Sequence, residues 1–289
     1  MKKINKSCLI CFSNNNNIRQ AITNLRFVLE SIEELEHIAL WSRLASALTD
    51  IKFDSYEHQE LETYLCDLYE FNREDDKYYE KYMLELTRFM YLYNILEYIA
   101  PKKENQYQPD IPKFRNNIEK YSIDSYPIYT EKYCEKYIAV IKRGLQLNYL
   151  NDQKIEKFIN NKEASNHVST SFYLLTNIRN LLAHGKIKVV PNPDFTGDHE
   201  EALYFSTLFR ASTIIVVIYI QLYILNNYKK FNSEHINAYR SDYDIFPLDE
   251  KFISLIKTNH LLSNSPLISL GILEEENTFD EVNHYLVTQ

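Results

Sequence analysis

Apolar residues recur every three or four positions through most of the chain, and this is the period of an α-helix. Between residues 18 and 51 they form one stripe, which predicts one long helix or two helices stacked in line. The acidic segment that follows keeps the same period and is predicted to be helical as well. The stripe consists of Ile18, Ile22, Leu25, Leu29, Ile32, Leu35, Ile38, Trp41, Leu44 and Leu48, and the acidic segment continues it with Leu61, Leu65, Leu68 and Tyr69.

The segment that starts at Met83 predicts a strong helix, which Pro101 ends because proline cannot supply the backbone N–H of a helix interior. Residues 101–130 contain four prolines and scattered polar residues, so we predict a long connection with at most one short helix. A basic helix follows, with Thr130 predicted as its N-cap because a threonine side chain can accept a hydrogen bond from the first turn.

Residues 169–184 read STSFYLLTNIRNLLAH and predict a helix capped at its start by Ser169 or Ser171. Gly185 follows the last helical position, where a residue without Cβ can take the left-handed conformation that ends a helix. Residues 201–227 predict a long apolar helix after a loop. Its uncharged run is shorter than the roughly 20 residues that span a bilayer, so we predict a helix buried on most sides and no membrane association.

The low glycine content indicates the fold class. Only 4 of the 289 residues are glycine and 8 are proline, whereas doubly wound sheets and phosphate-binding loops need many glycines. Neither a GxGxxG nor a GxxxxGK[ST] motif occurs, which argues against a dinucleotide or P-loop fold. We therefore predict an all-α protein without a cofactor.

The cysteines indicate a reducing compartment and no metal site. Cys8 and Cys11 form a CxxC pair, but neither Cys66 nor Cys134 belongs to a second pair that would complete a zinc site. The apolar run near the N-terminus is only five residues long, which is too short for the core of a signal peptide. We expect reduced thiols in a cytoplasmic protein.

Charge is unevenly distributed along the chain, whose net charge is −8. Residues 54–85 hold eleven acidic and three basic residues, whereas residues 132–190 hold ten basic and four acidic ones. The basic stretch favours local attraction for phosphate, although two solvated faces of opposite sign are the alternative. If the basic stretch lines a cleft, the acidic segment could shield it by imitating the charge of a polyanion.

The helix before Gly185 has one apolar and one polar face at about 100° per residue. The apolar arc holds Leu174, Leu175, Ile178, Leu181 and Leu182, and the polar arc holds Tyr173, Thr176, Asn177, Asn180, Ala183 and His184. Arg179 lies at the edge of the polar arc and diverges from His184 by about 140°, so one helix does not direct both groups at a single atom. Two copies of the helix packed about a two-fold axis would do so, since Thr176 and Ala183 are small.

The segment RNLLAH, from Arg179 to His184 with Gly185 after it, resembles the signature of the HEPN superfamily, which has Arg, a polar residue, a short spacer and His. The order of predicted elements over residues 83–228 is similar to that family as well. The resemblance implies a HEPN-like helical core at residues 83–228, with helical extensions at residues 1–82 and 229–289.

The same resemblance implies a metal-independent endoribonuclease of toxin–antitoxin or antiphage defence (abortive infection) systems. It implies a homodimer formed through the helix at residues 171–184. Attack of the RNA 2′-OH on the adjacent phosphate requires a proton shuttle and a group that stabilises negative charge. His184 suits the first role because a helix C-terminus favours the protonated imidazole, and Arg179 suits the second. Asn180 would orient the imidazole or contact phosphate, and Lys186 and Lys188 would contact the RNA backbone.

Two questions stay open at this point. The competing function is a non-catalytic HEPN-like dimerisation or interaction module, or an antitoxin, that uses the same helix. A regulatory protein or antitoxin is also an expected partner of the enzyme, because a ribonuclease must be kept from its own cell's RNA.

Glu97 is open as well. It could approach the helix that contains RNLLAH and pair with Arg179, or be an ordinary exposed glutamate. The remaining histidines have no metal-ligand spacing and are expected to be structural.

Overall fold

The structure is a computed structural model that describes residues 15–30, 32–52, 66–104, 107–124, 127–146, 150, 152–160, 166–187 and 199–227. Of these residues 85% are helical and none forms a strand, which confirms the predicted all-α fold. The helices in chain order are α1 (Asn15–Glu30), α2 (Glu36–Ala47), α3 (Cys66–Ile99), α4 (Ile111–Asp124), α5 (Pro127–Gln146), α6 (Gln153–Asn160), α7 (His167–Ala183) and α8 (His199–Asn227). Cys8, Cys11 and the predicted C-terminal extension lie outside the described residues.

Helices α1 and α2 form an antiparallel hairpin, so the prediction of one long helix or two helices in line is wrong. A 3-10 turn at Glu33–Leu35 reverses the chain, and Arg19 of α1 donates a hydrogen bond to the carbonyl of Ser46 at the end of α2 (3.3 Å). The apolar stripe is buried from Ile18 to Ile38, on both sides of the turn. Trp41 and Leu44, further along the predicted stripe, are exposed. Periodicity therefore predicted burial correctly as far as Ile38 but not the reversal, because both helices turn this part of the stripe toward the same core.

Helix α3 runs antiparallel to α2 and ends before Pro101, as predicted. Arg88 of α3 binds the carbonyl of Leu48 just after α2, and it also pairs with Glu85 at 3.1 Å in a buried position. Since α3 extends from Cys66 to Ile99 without a break, the predicted boundary between residues 82 and 83 falls inside one helix. The N-terminal hairpin and the predicted core therefore share this element.

The stretch between α3 and α5 is more ordered than the prediction of a long connection. It forms a two-residue bridge between Lys102 and Pro109 and then the 14-residue helix α4. Helix α5 begins at Pro127, so Thr130 lies inside the helix and is buried; its prediction as N-cap is wrong. The prolines indicated a connection, but a proline is tolerated in the first turn of a helix because the N–H groups there have no partner within the helix.

Helix α8 runs through the centre of the fold and packs against α1, α3, α4 and α5. Its segment Thr207–Ile224 is long and apolar enough to cross a membrane by length and composition, but 94% of it is buried inside the protein. The prediction of a helix buried on most sides is thus confirmed. Aromatic rings line the contact with α3, where Phe209 meets Tyr82 and Phe89 with ring centroids 5.3 and 6.3 Å apart.

Buried hydroxyl groups join α7 to α8 in this core. The Tyr219 hydroxyl of α8 lies 3.1 Å from the carbonyl of Val168 and also bonds to the Ser171 hydroxyl, both on α7. Cys134 of α5 lies 3.7 Å from the same Tyr219 oxygen. Because an unpaired hydroxyl in a core costs free energy, these bonds favour one register of α7 against its neighbours.

Candidate functional site

Helix α7, which carries the signature residues, begins one residue after Asn166. The Asn166 side chain accepts a hydrogen bond from the backbone N–H of Val168 (2.8 Å) and so acts as the N-cap. The predicted caps Ser169 and Ser171 are wrong, because both lie inside the helix. Ser171 is buried there and donates to the Val168 carbonyl at 3.0 Å.

Helix α7 ends as predicted, with Gly185 in the left-handed region at φ 62°. The N–H of Lys186 bonds to the carbonyl of Leu181 (2.8 Å) and the N–H of Gly185 to that of Leu182 (2.9 Å). This pair of bonds is the Schellman motif, which satisfies carbonyls that the helix end would otherwise leave free. It places His184 at the C-cap, where its side chain is exposed to solvent.

The two predicted faces of α7 are confirmed by burial. Leu174, Leu175 and Ile178 are fully buried, and Leu181 is nearly so. On the opposite face, Asn180, Ala183 and His184 are exposed. The polar end of α7 therefore points to solvent, while its apolar arc holds it in the fold.

Arg179 is held at the edge between these faces by α3. Its Nη2 lies 3.0 Å from Oε1 and 3.2 Å from Oε2 of Glu97. Of the two alternatives for Glu97, the structure therefore shows the ion pair with Arg179 and not an ordinary exposed glutamate. The guanidinium lies over the ring of Tyr93, 5.6 Å from its centroid. On the other side, Nη1 donates to Oδ1 of Asn180 at 3.5 Å. Both partners of the ion pair keep 29% of their side-chain surface exposed, so solvent and other ligands can reach it.

Tyr93 and Glu97 are one turn apart on α3 and therefore present a ring and a carboxylate to the same guanidinium. The Tyr93 hydroxyl donates to Oγ1 of Thr176 on α7 (3.4 Å), which ties the two helices together just above Arg179. Burial raises the pKa of Tyr93 to about 12, so the phenol stays neutral. The sequence pattern did not single out Tyr93 as a partner of Arg179; its spacing of four residues from Glu97 was the available signal.

Within the described part of the chain, no hydrogen bond or ion pair joins Arg179 to His184. Arg179 contacts Glu97 and Tyr93 of α3 and its neighbour Asn180 on α7, whereas His184 is exposed at the helix end. Lys186 is exposed just beyond the C-cap, and Lys188 lies outside the described residues. Among the residues that the structure describes, no group of three or more His, Cys, Asp or Glu side chains is arranged to hold a metal ion.

Comparison of the chain with protein-family models, with curated proteins and with solved structures found no match. The interpretation of the site therefore rests on its own chemistry and on the sequence signature. That chemistry consists of a fixed guanidinium, an amide beside it and a solvent-accessible imidazole. The guanidinium and the amide can bind a phosphate, and the imidazole can move a proton.

Proposed function

We propose that this chain is a HEPN-like, metal-independent endoribonuclease that acts as a homodimer. In each composite site, Arg179 comes from one chain and His184 from the other. The observation that supports it most is the end of α7, where a guanidinium fixed by Glu97 and Tyr93 and an exposed imidazole lie on one short helical segment.

The reaction follows from the groups present. The 2′-OH of a ribose attacks the adjacent phosphorus, and the bond from phosphorus to the 5′ oxygen of the next nucleotide breaks. One proton leaves the 2′-OH and one is delivered to the departing 5′ oxygen, so the products are a 2′,3′-cyclic phosphate and a 5′-OH. His184 moves these protons, because the ring nitrogens of an imidazole can accept a proton and donate one. Such a shuttle contributes roughly 10²–10⁴ in rate.

Arg179 stabilises the negative charge that grows on the phosphate oxygens during this attack. Glu97 binds only Nη2, which leaves the Nη1 edge beside Asn180 as the side from which a phosphate approaches. The ring of Tyr93 limits rotation of the guanidinium plane. A donor that is already oriented does not lose freedom when the transition state forms, and this favours catalysis.

The divergence of about 140° expected between Arg179 and His184 around the helix axis favours a site that two chains share. Two α7 helices related by a two-fold axis would place the imidazole of one beside the guanidinium of the other. Ala183 is exposed and Thr176 half-buried on the polar face, and their small side chains permit close approach. We propose that the dimer acts on cellular or phage RNA in the cytoplasm as a toxin or defence enzyme, controlled by a regulatory protein or antitoxin.

The experiment compares the wild-type dimer with His184→Ala on unstructured RNA in the presence of EDTA. Wild type is expected to release fragments with 2′,3′-cyclic phosphate ends, and His184→Ala to lose cleavage at least a hundredfold while it remains a folded dimer. His167→Ala is the matched control, since His167 lies at the other end of the same helix and pairs with Glu131 (3.4 Å). A wild-type dimer that cuts no RNA would favour the non-catalytic interaction module instead.

A further inference from the structure

Large apolar side chains form a cluster on the outer face of α2. Leu40, Trp41 and Leu44 are 55%, 36% and 38% exposed. Tyr98 of α3 is 46% exposed and belongs to the same cluster, because its ring centroid lies 4.7 Å from that of His37 on α2. We call Leu40, Trp41, Leu44 and Tyr98 the α2 surface.

The composition of the α2 surface favours a protein as its occupant. Of the five large hydrophobic side chains that the described part of the chain exposes, four belong to this surface, and the fifth is Tyr107 in the connection between α3 and α4. Apolar side chains that cluster on a surface mark an interaction site. Tryptophan and tyrosine are among the residues that contribute most to the affinity between proteins.

One edge of the α2 surface carries a carboxylate and a guanidinium. Glu36 and Arg43 are exposed and seven residues apart, so they lie within about 20° of each other around the helix axis and about 10 Å apart along it. No ion pair or side-chain hydrogen bond joins either of them to another described residue. Leu40, the most exposed side chain of the α2 surface, lies between them in the helix.

A second copy of the chain matches this arrangement of charges. A two-fold axis that passes near Leu40, perpendicular to α2, would pair the helix with its own copy in antiparallel direction. Residues on the same edge face each other in such a pair. Glu36 would therefore meet Arg43 of the second copy, and Arg43 would meet Glu36 of the second copy, at the two ends of an apolar contact.

The other charges near the α2 surface favour the antiparallel direction as well. Glu33 and Glu34 are exposed in the 3-10 turn before α2. Antiparallel pairing holds the two acidic turns at opposite ends, whereas parallel pairing would bring them together, and like charges repel. Lys102 and Lys103 are exposed at the same end as this turn, where the Lys102 ammonium lies 5.5 Å from the ring centroid of Tyr98. Their charge offsets part of that of the glutamates at the rim.

We propose that the α2 surface binds the α2 surface of a second copy of the chain about a two-fold axis. The side chains of Leu40 would meet at the axis, and Trp41 and Leu44 would leave water, which is the driving force for association. The inference does not rest on the proposed function, whose catalytic residues lie on α7. It assigns a role in assembly to the hairpin of α1 and α2.

Trp41 reports on this contact because it is the only tryptophan of the chain. The full-length protein is concentrated from the submicromolar to the high micromolar range, and Trp41 emission is recorded beside sedimentation velocity. The emission maximum is expected to move to shorter wavelength as the protein associates, since the indole ring leaves water. Sedimentation alone would not show which surface is used.

Leu40→Glu places a charge at the centre of the proposed contact. It is expected to weaken the association that Trp41 reports at least tenfold. Tyr107→Glu is the matched control, because it adds the same charge at an exposed tyrosine outside the α2 surface, and it is expected to associate as wild type. Both positions are exposed, so both variants are expected to fold, which their helical circular dichroism would check.

An exchange of charges tests the two-fold axis itself. Glu36→Arg and Arg43→Glu each place like charges opposite each other at both ends of the contact, and each is expected to weaken association roughly tenfold. A chain with both substitutions re-forms the two pairs in the opposite sense and is expected to associate as wild type. Two weakened single variants without this recovery would refute the antiparallel pairing.

The emission of wild type distinguishes the other occupants. Emission that stays at short wavelength on dilution would show that another part of the same chain covers Trp41. Emission that stays at long wavelength at every concentration would show that no second copy binds there. Either result, or equal association of wild type and Leu40→Glu, refutes the inference and leaves the proposed function standing, because none of them concerns Arg179 or His184.

Discussion

The neighbours of Arg179 fix the orientation of its guanidinium, although the side chain is partly exposed. An isolated exposed ion pair contributes little to stability because water competes for both partners and side-chain entropy is lost. Here the same guanidinium also lies over the Tyr93 ring and touches Asn180, so three contacts restrict its orientation. We therefore expect Glu97 to matter for the position of Arg179 more than for the stability of the fold.

Glu97 can be tested by separating its charge from its hydrogen bond. Glu97→Gln keeps an oxygen that accepts from Arg179 Nη2, and it is expected to retain most activity. Glu97→Ala frees the guanidinium and is expected to lower kcat roughly fivefold with little change in KM, since a partly exposed charged hydrogen bond is worth about 1 kcal/mol. Steady-state kinetics of both variants make the comparison. Faster cleavage by Glu97→Ala would mean that the carboxylate competes with phosphate for Arg179.

The polar residues of the site also show the limit of periodicity. The assignment of Leu174 and Ile178 to the core, and of Asn180 and His184 to the surface, was predicted from the helical period alone. The pair of Glu97 and Arg179 spans 82 residues, and nothing in a local pattern specifies which of many glutamates meets an arginine. Its place on a neighbouring helix made it a candidate, but only packing of α3 against α7 decides it.

At the scale of elements, hydrogen bonds at both ends of α7 satisfy backbone groups that the helix leaves free. Asn166 satisfies an N–H at the start, and the Schellman motif satisfies carbonyls at Leu181 and Leu182. Gly185 was predictable because it is one of four glycines and follows an amphipathic run directly. The N-cap was not, because Asn166, Ser169 and Ser171 lie close together in the sequence, and asparagine and serine are nearly equivalent as caps.

Gly185→Ala is expected to destabilise the protein by about 1 kcal/mol, because a residue with Cβ is strained at φ 62°. A Cβ at this position would meet no other atom within 4 Å, so the effect isolates backbone strain from packing. Gly185→Asn is the matched control and is expected to lose less, since asparagine tolerates the left-handed region. Urea unfolding of the three proteins measures the difference, and equal losses for Ala and Asn would contradict the explanation.

The reversal between α1 and α2 could not be predicted from the apolar spacing. Apolar spacing continues from Leu29 through Ile32 and Leu35 to Ile38 without a change of period, and all four side chains are buried. Ile32, Leu35 and Ile38 keep a spacing of three residues through the 3-10 turn at Glu33–Leu35, so periodicity reads the two helices as one. No glycine or proline marks the turn, and the signal that usually reveals a reversal is missing.

At the scale of the whole molecule, the core contains ionisable groups that must stay neutral. Burial raises the pKa of Cys134 from 9.0 to about 11 and those of Tyr82 and Tyr93 from 10.0 to about 12. In the unfolded chain these groups lose their protons near their ordinary values, before the folded protein does. Stability is therefore complete below about pH 9 and is expected to fall as the pH rises from about 9 toward 12, by about 1.4 kcal/mol per pH unit for each group.

Urea midpoints between pH 7 and pH 11 would measure this loss. Cys134→Ala removes the group that titrates first, so its stability is expected to fall less steeply between pH 9 and pH 10 than that of wild type, whatever its level at pH 7. The comparison uses slopes because the smaller side chain also leaves a cavity. Identical slopes would show that Cys134 does not contribute to the alkaline transition.

The composite site makes a prediction that only the assembled molecule can satisfy. Arg179→Ala and His184→Ala are each expected to abolish cleavage as homodimers. When the two variants are unfolded together and refolded as a mixture, half of the dimers contain one chain of each kind. In such a dimer one site has both a wild-type Arg179 and a wild-type His184, so the mixture is expected to recover roughly a quarter of wild-type activity.

Cleavage of a fluorescent RNA by the mixture and by each variant alone measures the recovery. A mixture as inactive as its components, in which hybrid dimers are detected by mass spectrometry, would mean that Arg179 and His184 act within one chain.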